Sequence, residues 1–124
     1  GENVYRYEKI GLADWNYELL QKKYMTPTSY EISSWQTPDD FEFTSSSAIQ
    51  WRFACAYSTF SPSPNMGSIS KICLYLAQYE EFIVLFNITT EVDQTTFVST
   101  EEIMTILEKV DARMAFYLQS DPSK

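Results

Sequence analysis

The stretch Glu81-Phe-Ile-Val-Leu-Phe-Asn-Ile-Thr-Thr-Glu-Val-Asp93 decides the fold, together with the segment from Ser99 to Leu118 that follows it. Apolar side chains occupy both alternating sets of positions over most of the first stretch. A strand that is apolar on both faces normally lies in the middle of a sheet and is covered by another layer on each side. We therefore predict that residues 81 to 92 form a central strand.

The segment from Ser99 to Leu118 predicts a capped amphipathic helix. Ser99-Thr-Glu-Glu102 has the S-x-x-E form of a capping box, in which the serine hydroxyl accepts a hydrogen bond from a backbone N–H group. The predicted apolar face, at spacings of three and four, consists of Ile103, Ile106, Leu107, Val110, Met114, Tyr117 and Leu118. The predicted exposed face consists of Thr105, Glu108, Lys109, Asp111 and Arg113.

Alternation of apolar and polar residues predicts four further strands upstream. These strands cover residues 29 to 35, 41 to 43, 49 to 57 and 69 to 77. Gln78-Tyr79-Glu80 connects the last of them to the central strand, which predicts an antiparallel hairpin. Ser45-Ser46-Ser47 is predicted to be a hairpin tip.

An N-terminal helix is predicted from Trp15 to about Tyr24. Asp14 is a suitable N-cap residue, and Trp15 and Leu19 lie one turn apart. Residues 4 to 10 are too short and mixed to predict more than a strand or the entry to a helix.

These elements predict an α+β fold. An antiparallel sheet of about five strands, with an N-terminal and a C-terminal helix packed on it, buries the apolar face of each element. The chain has 124 residues, which is the size of one domain with its own hydrophobic core. We expect residues 1 to 124 to form a single domain.

The chain is strongly acidic. Nine Lys and Arg residues stand against seventeen Asp and Glu residues, which gives a formal net charge of -8 at pH 7. Nucleic acids and anionic membrane surfaces require clustered positive charge, whereas the one basic doublet is Lys22-Lys23. No run approaches the roughly 20 apolar residues that span a bilayer. We expect a soluble protein that binds no nucleic acid and does not insert into membranes.

The sequence contains no histidine and two cysteines, Cys55 and Cys73. A Ser-His-Asp or Cys-His arrangement requires histidine, and no C-x-x-C pattern of a redox or zinc site is present. The two cysteines lie in different predicted strands. They form a disulfide if the strands are neighbours and the side chains face each other, and free buried thiols are the alternative. We expect no catalytic residue, no metal site and no cofactor.

Carboxylates are the remaining catalytic option. Asp39-Asp40 and Glu80-Glu81 are adjacent pairs, but neighbours on a strand point to opposite faces. Glycoside hydrolysis requires two carboxyl groups about 5–10 Å apart across one cleft, and no spacing here defines such a pair. A carboxylate-based hydrolase is therefore the third of three hypotheses.

Aromatic residues are abundant, with three Trp, nine Tyr and eight Phe. Aromatic surfaces with few charges suit contact with a partner or ligand, and a tryptophan-rich core is the alternative interpretation. The Pro- and Ser-rich stretch from residue 58 to residue 67 predicts a long loop, and long loops are often functional. The candidate binding residues are Trp35, Trp51, Tyr57, Phe60 and Met66.

The first function hypothesis is a non-catalytic protein-interaction or chaperone-like module. It binds another protein through an exposed aromatic patch near residues 58 to 67 or at a sheet edge. The second hypothesis is a small-ligand carrier with an aromatic-lined cavity between the sheet and a helix. Self-association into a homodimer through an edge strand is compatible with each hypothesis.

Overall fold

The computed structural model describes residues 1 to 26, 34 to 58, 70 to 91 and 99 to 120. In this part of the chain, four strands form one antiparallel sheet and two helices complete the fold. The predicted α+β class is confirmed, with four strands in place of about five. In chain order the elements are β1 (Glu2–Arg6), α1 (Ile10–Tyr24), β2 (Gln50–Ser58), β3 (Ser70–Tyr79), β4 (Phe82–Glu91) and α2 (Thr100–Ser120).

The centre of the sheet is the hairpin formed by β3 and β4. The strand order is β1-β4-β3-β2, so β4 has a neighbour on each side, which confirms the predicted central strand. Tyr79 pairs with Phe82 across a loop of two residues, Glu80 and Glu81. Glu80 has a φ of 53°, and the turns that match the twist of a hairpin have a positive φ at this first loop position. The turn lies later than predicted because Gln78 and Tyr79 are themselves paired.

The two helices lie on opposite faces of the sheet. On one face, α2 packs against alternate strand residues such as Val84. On the other face, Ala13 and Tyr17 of α1 are buried against the intervening residues, such as Ile83. The buried apolar residues of α2 are Ile103, Leu107, Val110 and Met114. Burial of each such large side chain contributes roughly 1.5–3 kcal/mol, so both apolar faces of β4 stabilise the fold.

The start of α2 follows the predicted cap. The backbone N–H of Glu102 donates to the Ser99 hydroxyl at 3.1 Å, and the N–H of Ile103 donates to the Ser99 carbonyl at 3.0 Å. Glu101 and Glu102 lie in the first turn, where negative charge interacts favourably with the helix dipole. The helix then continues to Ser120.

α1 begins earlier than predicted, at Ile10, with Lys9 in the N-cap position. The prediction of an N-cap at Asp14 is wrong because Ala13 is already fully buried against the sheet, so the packed part of the helix extends upstream of it. Asp14 lies inside the helix, where its carboxylate accepts a hydrogen bond of 2.6 Å from Nε2 of Gln78.

The chain between α1 and β2 does not form the strands predicted there, as far as the structure describes it. Residues 41 to 43 are irregular, and Phe41 and Phe43 alternate with Glu42 because both rings pack on the α2 face of the sheet. Gln36 alone forms a bridge, to Cys55 of β2. Most of the predicted strand at residues 29 to 35 lies outside the described residues.

A disulfide joins β2 to β3 between Cys55 and Cys73. The two residues are directly opposite in the strand register, and their Cα atoms are 4.1 Å apart. The backbone N–H and C=O of Cys55 both bond to Gln36, on the other side of β2. Cys55 and Cys73 therefore form a non-hydrogen-bonded pair, the type in which opposite side chains approach most closely. Of the two alternatives that the sequence leaves open, the structure has the disulfide.

Candidate functional site

A buried carboxylate, Asp111 of α2, lies at the interface between the helix and the sheet, and is 6% exposed. One oxygen accepts hydrogen bonds from the hydroxyls of Tyr79, at 2.8 Å, and Ser45. The other accepts from the Ser46 hydroxyl at 3.0 Å and the Ser46 N–H at 3.2 Å. The Tyr75 hydroxyl lies 2.8 Å from that of Tyr79. We call these five residues the Asp111 network.

The Asp111 network corrects two predictions. Asp111 is not on the exposed face of the helix, and the serines at residues 45 to 47 are not a hairpin tip. The physical reason is the same for both: the serine hydroxyls and a backbone N–H supply the hydrogen bonds that a carboxylate needs when it is buried. Ser45 also accepts a hydrogen bond of 2.9 Å from the N–H of Ala48, which folds the serine segment over the carboxylate.

The electrostatics of the network favour an ionised Asp111. Burial alone raises the pKa of a carboxyl group, but the hydrogen bonds from Ser45, Tyr79 and Ser46 outweigh it and hold the pKa of Asp111 below its ordinary value of 3.8. Burial raises the pKa of Tyr75 to about 12. Burial also raises the pKa of Tyr79 above its ordinary value of 10.0. At neutral pH, neutral tyrosines thus surround a structural anion.

Aromatic rings complete the attachment of the segment that precedes β2. Phe41 stacks on Phe53 with ring centroids 4.2 Å apart. Phe43 meets Trp51 edge to face at 5.6 Å and Tyr75 at 5.7 Å. The four hydrogen bonds engage both oxygens of Asp111, and the ring contacts pack the same segment onto the sheet, so the segment before β2 is attached to both α2 and β3.

The candidate binding residues predicted from the sequence are distributed over different parts of the fold. Trp35 is 8% exposed and packs on the α1 face of the sheet, with no hydrogen-bond partner for its Nε1 among the described residues. Trp51 is half-buried on the α2 face, so the sheet separates it from Trp35. Tyr57 is 40% exposed, at the far end of β2. Phe60 and Met66 lie outside the described residues.

The described surface includes two open clefts whose linings consist of strand and loop residues. One, of about 380 Å³, is lined by Arg6, Tyr7, Glu8 and Glu81, where β1 leads into α1. The other, of about 230 Å³, lies beside the disulfide and is lined by Ser34, Gln36, Thr37, Pro38, Asp39, Cys55, Tyr57 and Lys71. Neither cleft has a helix residue in its lining, whereas the ligand-carrier hypothesis places a cavity between the sheet and a helix.

Helix α1 carries apolar side chains on the face turned away from the sheet. Leu12, Trp15 and Leu19 are 46%, 68% and 49% exposed. Their spacings of three and four place them along one side of the helix, opposite the buried Ala13 and Tyr17. We call Leu12, Trp15 and Leu19 the outer stripe of α1.

Sequence reasoning missed the outer stripe, although a signal for it exists. The helical segment contains two series with spacings of three and four: Leu12, Trp15 and Leu19 form one, and Ala13, Tyr17, Leu20 and Tyr24 form the other. A helix that packs on one sheet can bury only one of two such series. Which series faces the sheet is decided by tertiary packing, which buries Ala13 and Tyr17.

Within the described part of the chain, the other exposed apolar side chains of the helices form no comparable stripe. Phe116 and Tyr117 of α2 are 71% and 53% exposed, but consecutive residues on a helix point about 100° apart. The Tyr117 ring meets the ring of Phe82 edge to face, with centroids 5.4 Å apart, so Tyr117 belongs partly to the packing of α2. Single exposed apolar residues are normal on protein surfaces.

Within the described residues, no group of three or more His, Cys, Asp or Glu side chains is arranged to hold a metal ion. None of the described helices combines the length and apolar character required to cross a membrane. Comparison of the chain with protein-family models, with curated proteins and with solved structures finds no match.

Proposed function

We propose that the protein is a non-catalytic protein-binding module and that the outer stripe of α1 is its contact surface. The observation that carries this proposal is the 68% exposure of Trp15 on a helix whose opposite side is already fixed by Ala13 and Tyr17. Among the described residues, the outer stripe belongs to neither of the two hydrophobic cores that hold the helices on the sheet. Contiguous apolar surface that a fold does not use is typical of contact sites for other proteins.

The spacing of the outer stripe suits insertion into a groove. Leu12, Trp15 and Leu19 occupy positions i, i+3 and i+7, which are the anchor positions of helices that dock into apolar grooves. Tryptophan is enriched among the residues that dominate binding energy, and Trp15 lies between the two leucines. Because α1 is held on the sheet before it binds, little conformational entropy is lost when it docks.

Lysine side chains at the C-terminal end of the outer stripe indicate which charge a partner presents at that end. Lys22 and Lys23 are exposed in the last turn of α1, in a chain whose net charge is -8. The ammonium group of Lys23 lies 5.1 Å from the centroid of the Tyr24 ring. A partner with an apolar groove bordered by carboxylates at one end complements this arrangement of charge. We therefore expect a protein partner with such an acidic-rimmed groove.

Three features support binding over catalysis. The chain contains no histidine, the commonest general base near neutral pH. Asp111 already accepts four hydrogen bonds. Glu8 and Glu81 line the same open cleft, but Glu8 is exposed to water, and a general acid of a hydrolase needs a more enclosed setting.

Site-specific photocross-linking tests the proposal. A photoreactive benzoylphenylalanine in place of Trp15 probes the outer stripe, and the same group in place of the exposed Glu108 of α2 is the matched control. In extracts of the cells that make the protein, we expect the probe at Trp15 to capture a defined partner that the control does not capture. Trp15→Ala in the otherwise unmodified chain is then expected to raise the Kd for the purified partner at least about tenfold.

Two results of these experiments contradict the proposal. Binding that Trp15→Ala leaves unchanged, or capture at both probe positions alike, contradicts the assignment of the surface. Lys22→Glu and Lys23→Glu test the acidic rim of the partner separately from the apolar contact. They reverse the charges beside the outer stripe and leave its three apolar side chains unchanged. If these substitutions do not weaken binding, the prediction of an acidic-rimmed groove is wrong, whereas the proposed apolar contact is not affected by this result.

A further inference from the structure

We propose that the outer edge of the sheet, at β1, pairs with β1 of a second copy of this chain and joins two sheets into one. This surface is separate from the outer stripe of α1, and the inference does not depend on the proposed function. It rests on the direction of the backbone groups in β1 and on the order of charges along the strand.

The backbone groups of β1 alternate between the sheet interior and the outside. Gly1 and Tyr7, at the two ends of the strand, direct backbone hydrogen bonds of 2.9 Å toward β4 and its turn. Alternation along an antiparallel strand then directs the N–H and C=O groups of Glu2, Val4 and Arg6 away from β4. All five residues of β1 are exposed, and among the described strands β1 has a neighbour only on the side of β4.

The outward-facing groups restrict the register of such a pair. In an antiparallel ladder, the two residues of a hydrogen-bonded pair exchange their N–H and C=O groups, so outward-facing residues of one strand must lie opposite outward-facing residues of the other. A two-fold axis at Val4 places Val4 opposite Val4 of the second copy and Glu2 opposite its Arg6. This register uses all three outward-facing positions on both strands, whereas an axis at Glu2 or Arg6 uses fewer of them.

The side chains fit the same register. Val4 pairs with Val84, whose side chain lies on the α2 face, so Glu2 and Arg6 also project toward that face. Each Glu2 then lies opposite Arg6 of the second copy, giving two pairs of opposite charge on either side of an apolar Val4 contact. Opposite charges in directly facing positions stabilise a strand pair, and like charges destabilise it. The sequence Glu2-Asn-Val-Tyr-Arg6 is thus self-complementary when antiparallel.

The resulting dimer has an isologous interface and a continuous sheet of eight strands. Facing residues of an antiparallel pair place their side chains on the same side of the sheet, so both copies of α1 lie on one side and both copies of α2 on the other. If the outer stripe of α1 binds a partner, the dimer presents two such stripes in the same direction. Linked sites of this kind raise avidity without any new contact.

Sedimentation equilibrium of the whole chain tests the inference, with the unmodified chain expected to have the mass of a dimer. Val4→Pro is the decisive variant, because proline removes an N–H that points away from β4 and is tolerated on such an edge. We expect Val4→Pro to be a monomer. Val4→Thr, which keeps the N–H, is the matched control and is expected to remain a dimer.

Exchanging the charges of Glu2 and Arg6 tests the register of the strand pair without introducing a proline. Glu2→Arg places like charges opposite each other in both pairs and is expected to raise the dimer Kd on the order of tenfold or more. The double variant Glu2→Arg with Arg6→Glu restores opposite charges and is expected to recover the dimer. Glu2 also contacts Arg113 within its own chain at 2.6 Å. Both variants lose that contact, and the double variant also loses the contact of the Arg6 guanidinium with the Phe82 ring at 5.4 Å, so recovery of the dimer reports on the contact between copies.

A monomeric mass at all concentrations up to about 1 mM overturns the inference. It is also overturned if Val4→Pro leaves the dimer intact, or if the double charge variant is no tighter than Glu2→Arg. Trp15→Ala distinguishes the two surfaces. It is expected to leave the dimer unchanged, and a monomer in that variant assigns self-association to α1 instead.

Discussion

Tyr79 of β3 donates a hydrogen bond of 2.8 Å to Asp111 of α2, and this contact ties the C-terminal helix to the centre of the sheet. Tyr79 is fully buried and Asp111 is 6% exposed. A charge in such a setting is stable only when hydrogen bonds replace the water it has lost. The attachment of α2 therefore depends on donors from β3 and from the serine segment that precedes β2.

Removal of the carboxylate is expected to destabilise the protein. Asp111→Ala leaves the buried hydroxyl of Tyr79 and the groups of Ser45 and Ser46 without their acceptor, and we expect the free energy of unfolding to fall by about 2–4 kcal/mol. Urea denaturation measures this change. Glu108→Ala, which removes an exposed carboxylate of the same helix, is the control, with an expected change within about 0.5 kcal/mol. Equal effects of the two substitutions contradict the role of the network.

The same carboxylate predicts a dependence of stability on acid. The pKa of Asp111 is lower in the folded protein than its ordinary value of 3.8. The contribution of the ionised carboxylate to the free energy of unfolding is therefore fully present above pH 3.8. It is lost as the pH falls through the folded pKa, because the unfolded chain binds the proton first. Unfolding free energies of the wild type and Asp111→Asn, measured from neutral pH into acid, are expected to converge below pH 3.8. A constant difference between them shows that Asp111 does not titrate in this way.

Buried tyrosines predict a dependence of stability on alkali with the opposite sign. Burial raises the pKa values of Tyr17 and Tyr75 to about 12. It also raises the pKa of Tyr79 above its ordinary value of 10.0. The contribution of these buried tyrosines to the free energy of unfolding is present below pH 10 and is lost as the pH rises through their folded pKa values. In an ultraviolet titration, we expect these three of the nine tyrosines to ionise only above pH 10, at or beyond unfolding. Ionisation of Tyr17, Tyr75 and Tyr79 near pH 10 in a folded chain contradicts this.

The parts of the fold that the sequence predicts are those set by local patterns. The cap at Ser99 and the two apolar faces of β4 follow from spacing alone. The role of Asp111 does not, because its neighbours in space, Ser45 and Tyr79, are 66 and 32 residues away. Alternation at Phe41 and Phe43 imitates a strand because both rings pack on one face of the sheet without strand pairing.

The candidate binding surface was predictable only in part. An aromatic contact surface is compatible with the exposed Trp15, but the sequence-based candidates Trp35 and Trp51 lie on opposite sides of the sheet. Composition counts aromatic residues and does not say which of them tertiary packing buries. The charge pattern of β1 is readable in the sequence, yet its meaning depends on the strand being at the edge.

The disulfide is expected to stabilise the fold by restricting the unfolded chain. Cys55 and Cys73 are separated by 18 residues, and closing a loop of that size contributes about 3 kcal/mol. Replacing both cysteines by alanine, or reducing the wild type, should lower the free energy of unfolding by about this amount. Thiol titration in denaturant without reductant should detect no free thiol. Two reactive thiols per chain in that assay contradict the bridge.

The two sides of α1 are expected to respond differently to truncation. Tyr17 is 3% exposed, so Tyr17→Ala should lower the free energy of unfolding by about 3–5 kcal/mol. Trp15 is 68% exposed, so Trp15→Ala should change it by no more than about 0.5 kcal/mol. Fluorescence gives an independent measurement, because acrylamide reaches an exposed indole but not the buried Trp35. Trp15→Phe should remove most of the quenchable emission. Quenching that persists in Trp15→Phe, or a large loss of stability in Trp15→Ala, means that the outer stripe is packed within the fold and is not a surface available to a partner.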